Sequence, residues 1–198
     1  MIDKESDQNE RRGFFRIDDQ IKLEYEIVSD DEYNNATQIL NEVHDSSFAL
    51  SANFATLNHD NSYLLNNIRR GTPEIAQYLD LLNQKIDALS QHLLENEISL
   101  SEEGLTTANI SASGIAFKTP ENLKKNQAIK TKIVLMPEKI GIQAYGRIID
   151  CRPDTENNNY IASMNFEHIR NDDKELMIKH NLNKQMIELR KRSESKEN

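Results

Sequence analysis

Three arginines fall within six residues in "RRGFFR", as Arg11, Arg12 and Arg16, in a chain whose formal net charge is −9. A guanidinium presents a planar fork of donors that fits a phosphate or the Hoogsteen edge of guanine, so the segment has the chemistry of an anion-recognition site. Arg12 and Arg16 stand four apart, with Arg11 as a third charge. Taken alone, such a cluster is more often a solvated charged face. A second segment, "NISASG" at residues 109–114, offers an Asn amide, two hydroxyls and a Gly on a tight turn, a compact set of neutral donors and acceptors. By itself it reads as an ordinary β-turn.

Other chemistry finds little support. His44, His59, His92, His168 and His180 are scattered, with no metal-binding pair at helical spacing, no nucleophile elbow and no Gly-rich phosphate loop, so no catalytic residue and no metal ligands are predicted. The lone Cys151 excludes an intramolecular disulfide framework and reads as a small packed residue. With 33 acidic against 24 basic residues, the chain would repel a polyphosphate, which argues against DNA, RNA or an anionic membrane as partner. No apolar run approaches the roughly 20 residues of a membrane span. "MIDKESDQNE" lacks a signal-peptide h-region, which makes a cytoplasmic location the expectation.

The elements that must position these groups follow from hydrophobic period. "IKLEYEIV" alternates Ile21, Leu23, Tyr25 and Ile27, a strand with one buried face. From about Asp31 the period changes. A heptad frame captures Ala36, Leu40, Val43, Leu50, Phe54, Leu57, Leu64 and Ile68, interrupted by Ser47 and Asn61, and predicts one long helix. "RRGTPE" ends it: Gly71 suits a left-handed stop, Thr72 a cap and Pro73 a first turn. A second helix carries an uninterrupted seam of Ile75, Leu79, Leu82, Ile86, Leu89 and Leu93. Two such helices make an antiparallel hairpin. A small barrel has no groove long enough to cover both seams, so self-association is expected, with Asn61 fixing register.

Two-residue alternation returns after "SLSEEG". Ile110, Ile115 and Phe117, then Ile129, Ile133 and Leu135, then Ile142, Ala144 and Ile148, then Tyr160, Ala162, Met164 and Phe166 read as short strands between turn-like stretches. This pattern predicts a small antiparallel barrel. A C-terminal helix follows, capped by Asp172 or Asp173 and lined on one side by Ile178, Leu182, Met186 and Leu189. The fold class is therefore α+β: a small antiparallel β-barrel with an inserted helical hairpin and a C-terminal helix.

The two polar segments in this order and strand context resemble the PilZ domain, whose signature is RxxxR followed by [D/N]xSxxG. Arg12 and Arg16 fill the first motif, and Asn109, Ser111 and Gly114 the second. "IKTKIVLMP", "IGIQAYGRIIDC" and "YIASMNFEHI" resemble the later strands of that family. The resemblance covers residues 10–30 and about 104–190, and implies a tail at 1–9 and a hairpin insertion at 31–103. It further implies cyclic di-GMP as ligand, often an intercalated dimer, with no other cofactor. Arg12 and Arg16 would then engage phosphates and guanine edges with Arg11 assisting. Asn109 and Ser111 would hydrogen-bond a guanine, and Gly114 would allow close backbone approach. The insertion resembles the PilZ subset that assembles into tetramers through a helical bundle. Together these imply a non-enzymatic receptor that orders residues 8–18 on binding and relays to an unidentified protein partner. The competing expectations are an oligomeric adaptor that binds no nucleotide and an RNA-binding module. Glu10, Asp18 and Asp19 are expected to pair with the arginines when ligand is absent, and Phe14 and Phe15 to tack the segment to the barrel.

Overall fold

The computed structural model of the chain describes residues 15–42, 46–98, 104–155 and 159–194. Six antiparallel strands close a barrel: β1 (Ile17–Ile27), β2 (Thr106–Ser111), β3 (Gly114–Thr119), β4 (Ala128–Leu135), β5 (Ile140–Pro153) and β6 (Tyr160–Ile169), in the order β1-β2-β3-β6-β5-β4. Long β1 closes the ring by using its two halves differently. Ile17 to Ile21 pair with β2, and Ile21 to Ile27 pair with β4. Inward alternation fills the barrel with Ile17, Ile21, Ile110, Ile115, Phe117, Ile129, Ile133, Ile142, Ile148 and Met164, all buried. The alternation read from β1 holds except at its end, where Ile27 lies past the barrel rim and is exposed.

Between β1 and β2 the described residues form four helices, where the heptad frame predicted two. They are α1 (Asp30–Asn34), α2 (Ala36–Glu42), α3 (Ser47–Gly71) and α4 (Pro73–Glu95). Local capping explains the difference. The Ser29 hydroxyl accepts from the Glu32 amide at 3.2 Å, and Ser46 accepts from the Ala49 amide at 3.1 Å, so each serine starts a helix. Ser47, read as a polar gap in a long seam, is the first residue of α3, and Val43 lies outside the described residues. Tyr33, Ala36 and Leu40 of α1 and α2 pack on Ala128 and Tyr145 of the barrel wall.

Helices α3 and α4 form the expected hairpin, fastened by Asn58 to Asp87 at 2.9 Å and by Arg69 to Asp80 at 2.8 Å. Its corner differs from the prediction. Gly71 stays helical, and the break falls at Thr72 (φ −141°, ψ 79°), whose amide donates to the Ile68 carbonyl at 2.7 Å. Pro73 causes this, because its ring disfavours helical geometry in the residue before it. The Thr72 hydroxyl turns back to the Ile68 carbonyl at 3.4 Å and caps nothing ahead. At the hairpin base Phe48, Leu94, Ile98 and Val134 form a second small core. Gly141 makes room for it: a Cβ there would meet the Phe48 ring at 2.8 Å. Beyond this base the hairpin leaves the barrel, and Leu57, Tyr63, Leu64, Ile75, Tyr78 and Leu89 are exposed.

The C-terminal helix α5 (Asn171–Glu194) seats Leu176 and Met177 on the barrel. Of the predicted face only Ile178 packs, partly buried, against the barrel core. Leu182, Met186 and Leu189 are exposed, whereas His180 and Asn181 are buried, because polar partners await them beneath β1 and β2. Asp172 and Asp173 lie within the first turn and cap nothing; Asp173 is fully buried and takes a two-pronged contact from Arg170 at 2.6 and 3.0 Å.

Candidate functional site

Strand alternation places one side chain in two on the outer face of the barrel, and strand order sets those side chains in rows. Asp18, Asn109, Ala116, Ser163 and Asp150 are successive cross-strand neighbours, one each from β1, β2, β3, β6 and β5. Lys118, Ile161 and Arg152 form part of an adjoining row. Together with Arg16, Thr107, Ser113, Asn165 and Glu167 these residues line an open groove of about 940 Å³. The middle of the Asp18–Asp150 row is small, with Ala116 and Ser163, and the two charged members of that row stand at its ends.

Arg16 and Asn109 meet at one end although 93 residues separate them, the Arg16 guanidinium donating to Asn109 Oδ1 at 3.4 Å. The Asn109 Nδ2 donates to Asp18 Oδ1 at 2.8 Å, which sets the amide with its oxygen toward the arginine. Asp18 thus pairs with the neutral member of the site. Asp19 pairs with His180 and Lys184. As the next residue of a strand it points inward, where His180 Nε2 lies 2.6 Å from Oδ2 and Lys184 Nζ donates to Oδ1 at 2.6 Å. Glu138 stands 3.6 Å from the other ring nitrogen of His180.

Electrostatics make this inner cluster an ionic clamp. Burial alone would raise the Asp19 carboxyl, but hydrogen bonds from His180 and Lys184 and their charges hold it below the usual carboxylate value. Burial likewise opposes a charged His180, and Asp19 and Glu138 overcome it and raise the imidazole. Glu138 is lowered chiefly by His180. The clamp fastens β1 to α5 directly behind the end of the groove that carries Arg16 and Asp18.

The remaining predicted residues are placed as follows. Ser111 is fully buried and serves its own turn, its hydroxyl donating to the Gly114 carbonyl at 3.2 Å and accepting from the Ser113 amide at 3.3 Å. Ser113, not Ser111, lines the groove. Gly114 has a reason independent of any ligand, since a Cβ there would sit 2.4 Å from the Met164 carbonyl oxygen across the β3–β6 ladder. Phe15 is exposed and tacks nothing down. Arg11, Arg12, Glu10 and Phe14 lie outside the described residues. Of the segment 8–18 expected to order on binding, Ile17 and Asp18 already pair with β2 in β1.

Asp150, Arg152, Ser163 and Asn165 were missed by sequence reasoning. Alternation tells which residues share a face, but not which strands become neighbours. In β5 even the alternation breaks. The ladder steps from Ile148↔Met164 to Asp150↔Ser163, so Ile149 is an extra residue. That bulge shifts the phase of the strand, turning Asp150 and Arg152 outward and Cys151 back toward the core.

Comparison with known proteins agrees with this architecture. The family model described as the PilZ domain matches residues 90–182. No curated protein matches the chain. Among solved structures, the Bacillus subtilis inhibitor of motility (MotI/DgrA) aligns at 20% identity and TM-score 0.37, over 41% of this chain and 42% of that one. A Xanthomonas campestris pathogenic protein, described as a tetrameric PilZ domain self-assembled through a helical bundle, aligns at 13% identity and TM-score 0.52, over 88% of this chain and 91% of that one. The second likeness extends over the helices as well as the barrel and shows a shared fold. Residues 90–182 thus match the PilZ domain, and the barrel they help form is closed by the upstream strand that brings Arg16 to Asn109.

Proposed function

We propose that this protein is a non-enzymatic receptor for cyclic di-GMP that relays the level of this second messenger to a protein partner, assembled through its α3–α4 hairpin. PilZ domains are in general cyclic di-GMP receptors. The observation that carries the reading is the convergence of Arg16 and Asn109, one from each motif, at one end of a groove of about 940 Å³. The Arg16 fork supplies donors for a phosphate or for guanine O6 and N7, and Asn109 Oδ1 supplies an acceptor. Arg11 and Arg12 add charge from the preceding segment, and Ser111 and Gly114 hold the turn that presents Asn109.

Assembly rests on the hairpin. A run of exposed Leu, Ile and Tyr on both helices is the kind of apolar surface that marks a protein interface. The tetramer described for the Xanthomonas structure supports a bundle of such hairpins here. Titration calorimetry of the full chain with cyclic di-GMP tests the reading. Binding is expected, with affinity lowered about tenfold or more in Arg16→Ala and Asn109→Ala, the scale of one well-formed base or phosphate contact. Absence of heat at tens of micromolar protein would refute it.

A further inference from the structure

The groove has acids where an anion site needs none. Asp18 and Asp150 stand at opposite ends of one five-strand row, and each has an arginine two residues away in sequence, Arg16 just ahead of β1 and Arg152 on β5. The two ends repeat the same chemistry in mirrored order, Arg-x-Asp at the start of β1 and Asp-x-Arg on β5. Four strand spacings of about 4.8 Å put roughly 19 Å of sheet between them. Asp150 and Arg152 reach this face only because the Ile149 bulge resets the phase of β5.

We propose that Asp150 and Arg152 form a second guanine-reading end of the groove, equivalent to the end built from Arg16, Asp18 and Asn109. The proposal rests on the cyclic di-GMP reading and extends it to the second base of a two-fold symmetric ligand. Guanine presents acceptors at O6 and N7, which suit arginine, and donors at N1 and N2, which suit a carboxylate. Adenine presents an acceptor at N1, which a carboxylate repels. The acids therefore supply base selectivity and the arginines supply attraction, one set at each end. Ala116 and Ser163 between them leave space for the sugar and phosphate ring.

The sign of one mutation separates this from simple electrostatics. If Asp150 is only a nearby negative charge, Asp150→Ala tightens binding of any dianion. If it accepts from guanine, the same change weakens cyclic di-GMP about tenfold or more and leaves cyclic di-AMP as weak as before or slightly tighter. Calorimetry of the full chain with both dinucleotides, on wild type, Asp150→Ala, Asp150→Asn and Arg152→Ala, gives the answer. Expected are weaker cyclic di-GMP binding in all three variants and a smaller preference for guanine over adenine in both Asp150 variants. These exposed positions are not expected to alter thermal unfolding, which is recorded alongside. Unchanged or tightened cyclic di-GMP binding in Asp150→Ala overturns the second end while leaving the first intact. No binding by wild type overturns the receptor reading itself, and with it this extension.

Discussion

Replacing Asp19 by Asn tests the ionic clamp behind the groove. The substitution keeps shape and one acceptor but removes the charge that faces His180 and Lys184, both at 2.6 Å. The Asp19 and His180 side chains are each 4% exposed, so solvent screening offers little relief. Removing one partner of a buried pair costs about 3–5 kcal/mol, and charged hydrogen bonds contribute about 1.5–3 kcal/mol each. Lys184 is 29% exposed and regains water, and the amide still accepts one bond, so the expected loss at pH 6 is about 2 kcal/mol. With a urea slope of about 1–3 kcal/mol per molar, the midpoint falls by roughly 1 M. The pH dependence has a definite sign. His180 is raised, so its contribution is complete below its ordinary 6.5 and is lost as pH rises through the folded value. Asp19 and Glu138 are lowered, so theirs is present above 3.8 and 4.5 and is lost as pH falls through their folded values. The difference between wild type and Asp19→Asn is therefore expected to be larger at pH 6 than at pH 9. Urea unfolding of both proteins at both pH values, at one fixed protein concentration, measures it. Equal differences at the two pH values, or no difference at pH 6, would refute the clamp.

Three further outcomes follow from the geometry. Gly146→Ala and Gly114→Ala place a Cβ 1.8 Å from the Asn165 carbonyl oxygen and 2.4 Å from that of Met164; each is expected to lower stability by about 1–3 kcal/mol in urea unfolding, Gly146→Ala the more. Leu89→Glu, at a residue 65% exposed on α4, is expected to leave the circular dichroism of the fold unchanged while reducing the mass seen by light scattering to that of the monomer at micromolar concentration. Asp173, pushed up to about 6 by burial despite Arg170, makes wild type lose stability as pH rises from 3.8 through that value. In Asp173→Asn that slope is expected to flatten, read from thermal midpoints at pH 4.5 and 7.

The barrel was legible because its interior obeys a period of two: Ile21, Ile110, Ile115, Ile133 and Ile148 all point inward as the alternation requires. The hairpin was legible from its seam, but its beginning was not. Heptad counting slides across a serine cap without registering it, which merged α1, α2 and α3 into one helix. On α5 the apolar period chose Leu182, Met186 and Leu189, whereas burial chose His180 and Asn181. Those polar residues are buried because Asp19 and the Ile110 carbonyl meet them there, and no local pattern announces a partner from β1 or β2. At the site, the short motifs identified Asn109 and Arg16 correctly as neighbours. They could not identify the opposite end, which depends on β5 lying beside β6 and on one extra residue.

The long detour between β1 and β2 also has a kinetic side. A contact that spans 93 residues closes a far larger loop than the β2–β3 turn or the β4–β5 turn, and each doubling of loop length adds about 0.6 kcal/mol of closure entropy. The strands from β2 onward can zip up by local hairpins and short crossings, while β1 must wait for a completed template. Both halves of β1 depend on such distant pairings, the N-terminal half with β2 and the C-terminal half with β4, so the whole strand is expected as the last section of the wall to arrive. The salt-bridged side chain of Asp19 sits on that section, so the clamp acts as the latch of the strand. Amide exchange at Asp18 and Gln20 would report how often the latch lifts, and with it how often one end of the groove ceases to exist.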